Sequence, residues 1–434
     1  MFNAAKTCTT KACFAAILLV AGATTPSQAQ HDEQVMAQAQ KQQQPLLKTM
    51  EELVSIESGS RDIEGLDRIA KLIAGRLQEL GGQVELVEPA YVYKMEDTPD
   101  QIGKIVRATF TGTGTRKILL LAHMDTVYPR GMLAKQPFLI KNGRAYGVGI
   151  ADDKQGIAVI IHAIAMLRAM NFHDYGTLTV LINADEEISS PGSRSLITKL
   201  GAEHDVVLSF EASFTTNDKV ALATAGIASV TLNVEGRAAH AGQAPERGIN
   251  ALYELTHQIL QMRDLSDPAT GVKMNWTVAR AGRVRNMIPP DAQGIADVRV
   301  LRVADYDGIE RKVRERVKNQ LLPEAKVELI FERRRPPLEA TDASRALGQH
   351  AQHIYGELGK TLEVDPVAEG GGTDAAFASL KTKAPVIERL GLQGFGAHSI
   401  EAEYVLIASI EPRLYLTTRL IMDASRGKAP GVGR

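Results

Sequence analysis

Short apolar runs that alternate with helix-like patterns constrain the fold of this chain more than any other feature. In the first half these segments follow one another as 46–56 and 66–80 (helical), 84–87, 104–110 and 117–122 (strand-like), 157–170 (helical), and 178–183 and 206–210 (strand-like). Apolar strands that alternate with helices are typical of a mostly parallel sheet with helices on both faces, because parallel neighbours need a crossover connection. We therefore predict an α/β fold for this part of the chain.

The pattern changes at about residue 225 and returns after residue 335. Between these positions the predicted segments are 229–235, 249–262, 275–280, 294–301, 306–321 and 327–332. Their order, strand-helix-strand-strand-helix-strand, is that of a ferredoxin-like unit. A last helix at 344–358 and a strand at 385–388 resume the first pattern. We predict a small α+β domain, residues 225–335, inserted between two parts of a larger domain, residues 30–224 and 336–434.

The amino terminus has the residue order of a secretory signal peptide. Two lysines precede a mostly apolar stretch at 12–23, and small residues follow it up to Ala29. A transmembrane anchor is the alternative, but the stretch is too short to span a bilayer comfortably. We predict that residues 1–29 are cleaved and that the mature protein is exported, either periplasmic or secreted. The Gln-rich segment 31–44 is expected to be a solvated leader to the first helix.

Composition narrows the classes of function. The chain has 434 residues, 44% of them hydrophobic, and a formal net charge of −1 with interspersed charges. These values suit two domains, and we predict neither a nucleic-acid partner nor a membrane anchor in the mature form. Both cysteines, Cys8 and Cys13, lie in the predicted signal peptide. Any metal bound by the mature chain must therefore be held by His, Asp and Glu side chains.

Acidic and imidazole side chains recur where the predicted strands end. They are His123, Glu186-Glu187, Glu211 and His398, with Asp152 in a glycine-flanked loop before a helix. Alone, each has an ordinary structural explanation, such as a helix cap, a solvated turn or a core histidine. Strand ends meet at one edge of a parallel sheet, where α/β folds bind ligands. Together these residues predict a metal site, because grouped carboxylates are costly to bury without cations.

Two histidines and three carboxylates suit zinc, with cobalt or manganese as substitutes. Five ligands exceed the needs of one catalytic zinc, whereas a bridging carboxylate would let them hold two ions. Asp152 is the best candidate for this bridge, because its loop lies between the others in chain order. One of the adjacent Glu186 and Glu187 would bind metal and the other would face the attacking water. Asp125 is placed to orient the His123 imidazole.

Longer motifs surround these residues. They are His-Met-Asp-Thr-Val-Tyr at 123–128, Gly-Ile-Ala-Asp-Asp-Lys at 149–154, Asp-Glu-Glu at 185–187, Ser-Phe-Glu at 209–211, Ala-His-Ala-Gly at 239–242, Ala-Asp-Val-Arg at 296–299, Gly-Gly-Thr-Asp at 371–374 and Gly-Phe-Gly-Ala-His-Ser at 394–399. With them, residues 45–425 resemble the M20 family of metallopeptidases, and within it the bacterial glutamate carboxypeptidases of the carboxypeptidase G type. Val148, Ala212 and Ala397 depart from the pattern of those carboxypeptidases, and the last two bear on substrate choice.

The resemblance implies a zinc-exopeptidase-like catalytic domain with two Zn²⁺ ions. The ligands it implies are His398 and Glu187 for one ion, His123 and Glu211 for the other, and Asp152 as the bridge. The peptide between Asp152 and Asp153 is expected to be cis. Glu186 would be the general base that moves the proton from water to the leaving amine, and Asp125 would steer His123.

The resemblance also implies roles outside the metal set. The substrate-binding residues would be His240, Asn286, Arg299, and the backbone of Gly371, Gly372 and Thr373. The inserted domain would form a homodimer in which His240 reaches the partner's active site, while Arg299 and Asn286 bind the substrate's terminal carboxylate. Arg335 would add charge for an acidic side chain. From the residues alone, His240 and Asn286 are better explained as turn residues and Arg299 as a solvated arginine.

We therefore expect an exported, dimeric, di-zinc exopeptidase that releases a C-terminal amino acid, with glutamate the expected residue. Its substrates would be small peptides or N-acyl amino acids, folate-like conjugates among them. The alternatives on the same scaffold are an aminoacylase, a dipeptidase or a deacylase of acetylated intermediates. A more distant alternative is a non-catalytic exported protein that binds metal or peptide. Glu186 argues against it, because such a protein needs no base beside a fully liganded metal.

Overall fold

The computed structural model describes Met1 and residues 31–213, 217–399 and 402–432. The rest of the predicted signal peptide lies outside these residues, so its cleavage stays a prediction. Among the described residues, no helix is both long and apolar enough to cross a membrane.

Helices and strands alternate along the first and last parts of the chain, and a strand-rich segment lies between them. The first part contains α1 (Glu33–Val54), α2 (Ile63–Glu79), β1 (Gln83–Val87), β2 (Ile105–Thr111), β3 (Lys117–His123), β4 (Leu139–Lys141), β5 (Arg144–Tyr146), α3 (Gln155–Ala169), β6 (Thr177–Asn183), α4 (Arg194–Glu203), β7 (Val206–Ser209) and β8 (Lys219–Ala221). The middle segment contains β9 (Gly226–Glu235), α5 (Ala251–Met262), β10 (Lys273–Ala281), β11 (Asp291–Val300), α6 (Asp305–Arg316) and β12 (Lys326–Arg335). The last part contains α7 (Asp342–Gly356), β13 (Glu363–Asp365), α8 (Ala375–Ser379), β14 (Val386–Ile387), β15 (Gly394–Phe395), β16 (Tyr404–Leu406) and α9 (Ile410–Ser425).

The main sheet has the strand order β1-β2-β6-β3-β7-β14. The last four of these strands run parallel, whereas β2 is antiparallel to β6. On β3, Ile118 and Leu120 face a core shared with α1, α3 and α9, and Leu119 and Leu121 face a core shared with α4 and α8. Both faces are covered, which explains why this strand is apolar throughout. The prediction of a mostly parallel α/β sheet is confirmed.

The carboxyl edge of this sheet collects the loops that carry the predicted site. β3 ends at His123, which pairs with Asn183 at the end of β6, and β7 ends at Ser209 beside β3. Because these neighbours are parallel, the turn with Glu186 and the turn with Glu211 lie at the same edge.

Strands β9 to β12 form a separate antiparallel sheet with the order β10-β11-β9-β12. Side chains of β9 alternate between its faces, so that Val230, Leu232 and Val234 are buried with residues of α5 and α6 while Ser229 and Asn233 stay partly exposed. The predicted ferredoxin-like order is confirmed, and its role in dimerisation stays a prediction.

The expectation of a solvated leader at residues 31–44 is wrong. α1 begins at Glu33, and the Asp32 side chain caps it by accepting a hydrogen bond from the Val35 amide at 3.0 Å. Val35 and Ala39 are fully buried. The segment is an ordinary amphipathic helix whose narrow apolar stripe packs on the core. Its many glutamines make this stripe hard to recognise in the sequence.

The expectation that the helix at 344–358 is the last one is also wrong, because α9 comes after it in the chain. This helix is buried on nearly every side and therefore lacks the one-sided pattern of a surface helix. Its Arg413 is fully buried, with Nη2 at 3.0 Å from the Lys219 carbonyl oxygen and at 3.3 Å from Asp218 Oδ1.

Candidate active site

Asp152 lies between two histidines. Its Oδ1 is 3.0 Å from His123 Nε2, and its Oδ2 is 3.1 Å from His398 Nε2. The loop that carries it turns at Gly149, whose φ of 67° lies in the left-handed region that glycine adopts without strain. The peptide between Asp152 and Asp153 is cis, as the resemblance implies. One carboxylate therefore turns one oxygen to each histidine.

Two clusters flank this carboxylate. We call them the inner cluster, His123 and Glu211, and the outer cluster, His398 and Glu187. His123 Nε2 is 3.3 Å from Glu211 Oε1, and His398 Nε2 is 3.1 Å from Glu187 Oε2. Ligand atoms of the outer cluster and the central aspartate lie within 4.8 Å of one another, as do those of the inner cluster and Glu186. The structure brings all five residues proposed as ligands to one place.

Asp125 contacts both clusters. His123 Nδ1 is 3.0 Å from the Asp125 backbone oxygen and 3.4 Å from its Oδ1. The same buried carboxylate accepts hydrogen bonds from the amides of Glu186 at 3.0 Å and Glu187 at 3.1 Å, and from Ser60 Oγ at 2.8 Å. Besides facing the imidazole, Asp125 thus holds the turn that carries both glutamates, a role for which the sequence contains no signal.

Glu186 is paired with an arginine. Arg335 Nη1 donates to Glu186 Oε1 and lies 3.7 Å from Asp374 Oδ1. Arg335 is 3% exposed, so the structure pairs its charge with Glu186 rather than presenting it to an acidic substrate side chain. A carboxylate held by a guanidinium has fewer lone pairs for a metal. This contact distinguishes Glu186 from Glu187, which the spacing alone leaves equivalent.

Burial and mutual repulsion dominate the electrostatics of the site. Burial, reinforced by Asp152, raises the pKa of Glu211 to about 8 and holds the pKa of Glu187 well above its usual range. Burial also disfavours the charged form of His123, but the surrounding carboxylates outweigh it and raise its pKa. Hydrogen bonds to Asp152 and Glu187 raise the pKa of His398 to about 11.

This donor set fits divalent cations. Crowded carboxyl groups whose pKa values are raised by burial and repulsion ionise readily when a cation supplies positive charge nearby. Two imidazoles and three carboxylates, one of them turned to both histidines, match a pair of ions that share a bridging ligand. The residues present therefore fit two bound metal ions.

A cavity of about 450 Å³ opens on four of the five proposed metal ligands, Asp152, Glu187, Glu211 and His398. Its lining includes three of the predicted substrate-binding residues, Gly371, Gly372 and Thr373. Ala397, which departs from the carboxypeptidase pattern, lines it as well. Arg299 contacts the same segment, because its Nη1 donates to the Gly370 carbonyl oxygen at 3.0 Å.

His240 and Asn286 lie elsewhere. Both are exposed on the antiparallel sheet unit, and neither is among the described residues that line the cavity. His240 Nδ1 accepts a hydrogen bond from the Gly242 amide at 3.2 Å, and the Asn286 carbonyl accepts one from the Ala241 amide at 2.9 Å. Within the part of the chain that the structure describes, His240 and Asn286 do not reach the proposed metal centre of their own chain.

Two further residues support the outer cluster, and sequence reasoning missed both. Tyr128 Oη donates to Glu403 Oε1 at 2.6 Å and accepts a hydrogen bond from the His398 amide. Glu403 Oε2 accepts a hydrogen bond from the Ala151 amide at 3.0 Å, and burial raises the pKa of Glu403 to about 7. Together they join the loops that carry His398 and the central aspartate. Tyr128 belongs to the motif at 123–128, whereas no motif includes Glu403.

Comparison with known proteins agrees with this geometry. Residues 119–423 match the model of peptidase family M20/M25/M40. Carboxypeptidase G2 of Pseudomonas sp. strain RS-16 is 44% identical over 415 residues, which are 95% of this chain and 98% of that protein. Acetylornithine deacetylase of Proteus mirabilis is 28% identical over 204 residues, 46% of this chain and 49% of that protein. The crystal structure of the M20 family metallo-carboxypeptidase Sso-CP2 from Sulfolobus solfataricus has a TM-score of 0.69 at 16% identity and covers 87% of this chain and 98% of its own. This chain therefore belongs to peptidase family M20/M25/M40.

Proposed function

We propose that this protein is a metallocarboxypeptidase that hydrolyses the amide bond to a C-terminal glutamate, in small peptides or in N-acyl conjugates such as folate-like compounds. The likeness to carboxypeptidase G2, 44% identity over 95% of the chain, supports this substrate class. The observation that carries the proposal is the Asp152 carboxylate, which turns one oxygen to His123 and the other to His398.

The ligand set divides between two ions. His123 and Glu211 would hold one, His398 and Glu187 the other, and Asp152 would be shared. We propose Zn²⁺ as the native pair, with Co²⁺ or Mn²⁺ as substitutes. When bound, these ions would polarise the substrate carbonyl and lower the pKa of the attacking water.

Glu186 is the proposed general base. Arg335 orients its carboxylate, and Asp125 holds its backbone amide, so the side chain has little freedom. It would take the proton from the attacking water and deliver it to the leaving nitrogen, which releases the amino acid as a free amine.

Replacing Glu186 with glutamine tests this assignment. Glu186→Gln keeps the size and the hydrogen-bonding oxygen, but it removes the base, so kcat should fall about 10²–10⁴-fold. Metal analysis should still find two ions per chain in this variant. The matched variant Glu187→Gln should instead lose metal. A metal-replete Glu186→Gln protein with near-normal kcat would refute the assignment.

A substrate panel tests the specificity. On the zinc-loaded protein, kcat/KM is compared for N-acyl-glutamate, N-acyl-leucine, N-acetylornithine and free dipeptides. We expect N-acyl-glutamate to be preferred. A preference for dipeptides or for N-acetylornithine would favour the dipeptidase or deacylase alternative, and a preference for N-acyl-leucine would favour an aminoacylase. Chelator-sensitive turnover of any of these compounds excludes a non-catalytic binding protein.

We also propose export and dimerisation. The residue order of segment 1–29 supports export to the periplasm or the medium. The exposure of His240 and Asn286 away from the cavity of their own chain supports a homodimer in which they serve the partner's site. Amino-terminal sequencing of the protein recovered from cell fractions tests the first proposal, and light scattering of the purified protein tests the second.

A further inference from the structure

A guanidinium group lines the cavity at the proposed metal centre. Arg389 lines it together with metal ligands such as Asp152 and His398. Arg389 Nη1 donates to Glu369 Oε2 at 2.9 Å, and the other oxygen of this carboxylate pairs with Lys219 Nζ. One carboxylate thus bridges two cations at the edge of the catalytic cavity.

Lys219 is buried and Arg389 is mostly buried, whereas the carboxylate between them is exposed. The side chains of Lys219 and Arg389 are 7% and 11% exposed, and that of Glu369 is 47% exposed. The backbone of Arg389 is held on both sides, by its amide donating to Glu388 Oε1 at 2.6 Å and by its carbonyl accepting from Arg413 Nη1 at 2.9 Å. Its φ of 67° is uncommon for a residue other than glycine and is retained where the surroundings impose it. The protein therefore fixes a guanidinium at the cavity wall.

The carboxylate itself belongs to a glycine-rich segment. We call residues 369–373 the glycine strap. Gly370 has a φ of 102°, and neither it nor Gly371 has any atom within 4 Å of the position that a Cβ would occupy. The Gly370 carbonyl accepts the hydrogen bond from Arg299, the proposed partner of the substrate's terminal carboxylate. Arg299 and Arg389 thus contact adjacent residues of the strap.

We propose that Arg389 recognises the acidic side chain of the substrate's terminal residue and that Glu369 occupies the place of this side chain in the ligand-free protein. The inference rests on the proposed function and specifies its terminal-residue subsite. On binding, the substrate's side-chain carboxylate replaces Glu369 as the acceptor for Arg389, and Glu369 stays paired with Lys219. The exchange conserves one charge-assisted hydrogen bond, which a neutral side chain cannot do.

Arg389→Gln in the metal-loaded full-length protein tests the first half of the inference. The ratio of kcat/KM for N-benzoyl-glutamate to that for N-benzoyl-leucine should fall about 30-fold, because a hydrogen bond between charged groups is lost. Arg389→Lys keeps the charge and should retain most of the ratio. The control Arg314→Gln removes a guanidinium that pairs with Glu310 on α6, and it should leave the ratio unchanged.

Glu369→Gln tests the second half. Without the competing carboxylate, the subsite is open more of the time, so KM for N-benzoyl-glutamate should fall roughly threefold or more. Inhibition by free L-glutamate should tighten in parallel, which gives a readout independent of turnover. A merely structural role for the pair predicts a higher KM.

Two patterns separate failure of this inference from failure of the proposed function. In the first, the wild-type enzyme prefers N-benzoyl-glutamate, but Arg389→Gln lowers kcat/KM equally for both substrates, or Glu369→Gln leaves KM unchanged or higher. Only the inference is then overturned. If the wild-type enzyme prefers N-benzoyl-leucine, both are overturned. Should Arg389→Gln fold poorly in a thermal unfolding assay, Arg389→Lys and Glu369→Gln still decide the outcome.

Discussion

The inner and outer clusters of the proposed metal centre each hold a histidine close to Asp152, but the two histidines are supported differently. His123 is 2% exposed and ends a strand inside the main sheet, whereas the His398 side chain is 52% exposed and its residue has a φ of 56° in a loop. The sheet positions the first histidine, and the hydrogen bonds of Tyr128 and Glu403 position the second. The two histidines thus lie at nearly the same distance from Asp152, but the inner cluster is held rigidly by the sheet and the outer cluster depends on a few contacts.

The two clusters should differ most in how much the free energy of unfolding falls when their histidines are removed one at a time. His123→Ala removes the fully buried imidazole that pairs with Asp152 and Glu211, so the free energy of unfolding of the metal-free protein should fall by about 3–5 kcal/mol. His398→Ala also removes a cation that pairs with Asp152 and Glu187, but its position is half-exposed and water can take its place, so the loss should be smaller, about 1 kcal/mol. Urea unfolding of chelator-treated proteins measures both values. Equal destabilisation would contradict the distinction between a rigid and a dependent half.

Loosening the support of the outer cluster should have a smaller effect. Tyr128→Phe removes the hydroxyl between the His398 amide and Glu403, so the affinity for the more weakly held of two zinc ions should fall about tenfold. The affinity for the tighter ion should stay the same. Competition with a chromophoric chelator measures both, and Tyr91→Phe, at a 64% exposed tyrosine, is the control. An equal loss at both ions would show that the tyrosine supports the whole centre.

A buried histidine outside the active site shows the effect of burial without neighbouring carboxylates. His162 joins α3 to α1 through neutral partners, with Nε2 at 2.8 Å from Thr49 Oγ1 and Nδ1 at 2.7 Å from Gln42 Oε1. Burial lowers the pKa of His162 to about 4, from an ordinary value of 6.5. The pKa of His123, which is also buried, is raised instead, so the partners decide the direction of the shift.

The smallest predicted effect comes from this lowered pKa. Well above pH 6.5 His162 is neutral in both the folded and the unfolded state, and its contribution to stability is complete. As the pH falls from 6.5 towards 4, His162 becomes protonated in the unfolded chain but stays neutral in the folded protein, so the free energy of unfolding decreases. The loss should reach about 1 kcal/mol over the first pH unit. Denaturant unfolding at several pH values should show a flatter pH dependence for His162→Gln, and identical slopes would contradict the prediction.

The sequence by itself determined the class of fold and the residues that meet at the centre. An apolar run such as 118–121, buried on both faces, requires a covered parallel sheet, and parallel strands bring the loops at their carboxyl ends to one edge. His123 and Glu211 could be selected on this basis because their roles depend on local position. The same local reasoning failed for α1 and α9, where composition and burial obscure the helical period.

Only the tertiary structure decided the contacts between distant parts of the chain. Glu186 and Glu187 are neighbours in the same turn, and they are told apart by Arg335, the last residue of β12. The pairing of Tyr128 with Glu403 likewise joins segments that no local pattern connects. The physical reason is that a hydrophobic period or a sequence motif contains information only about residues close to one another in the chain. The partner of a buried charge is set by how the whole chain packs.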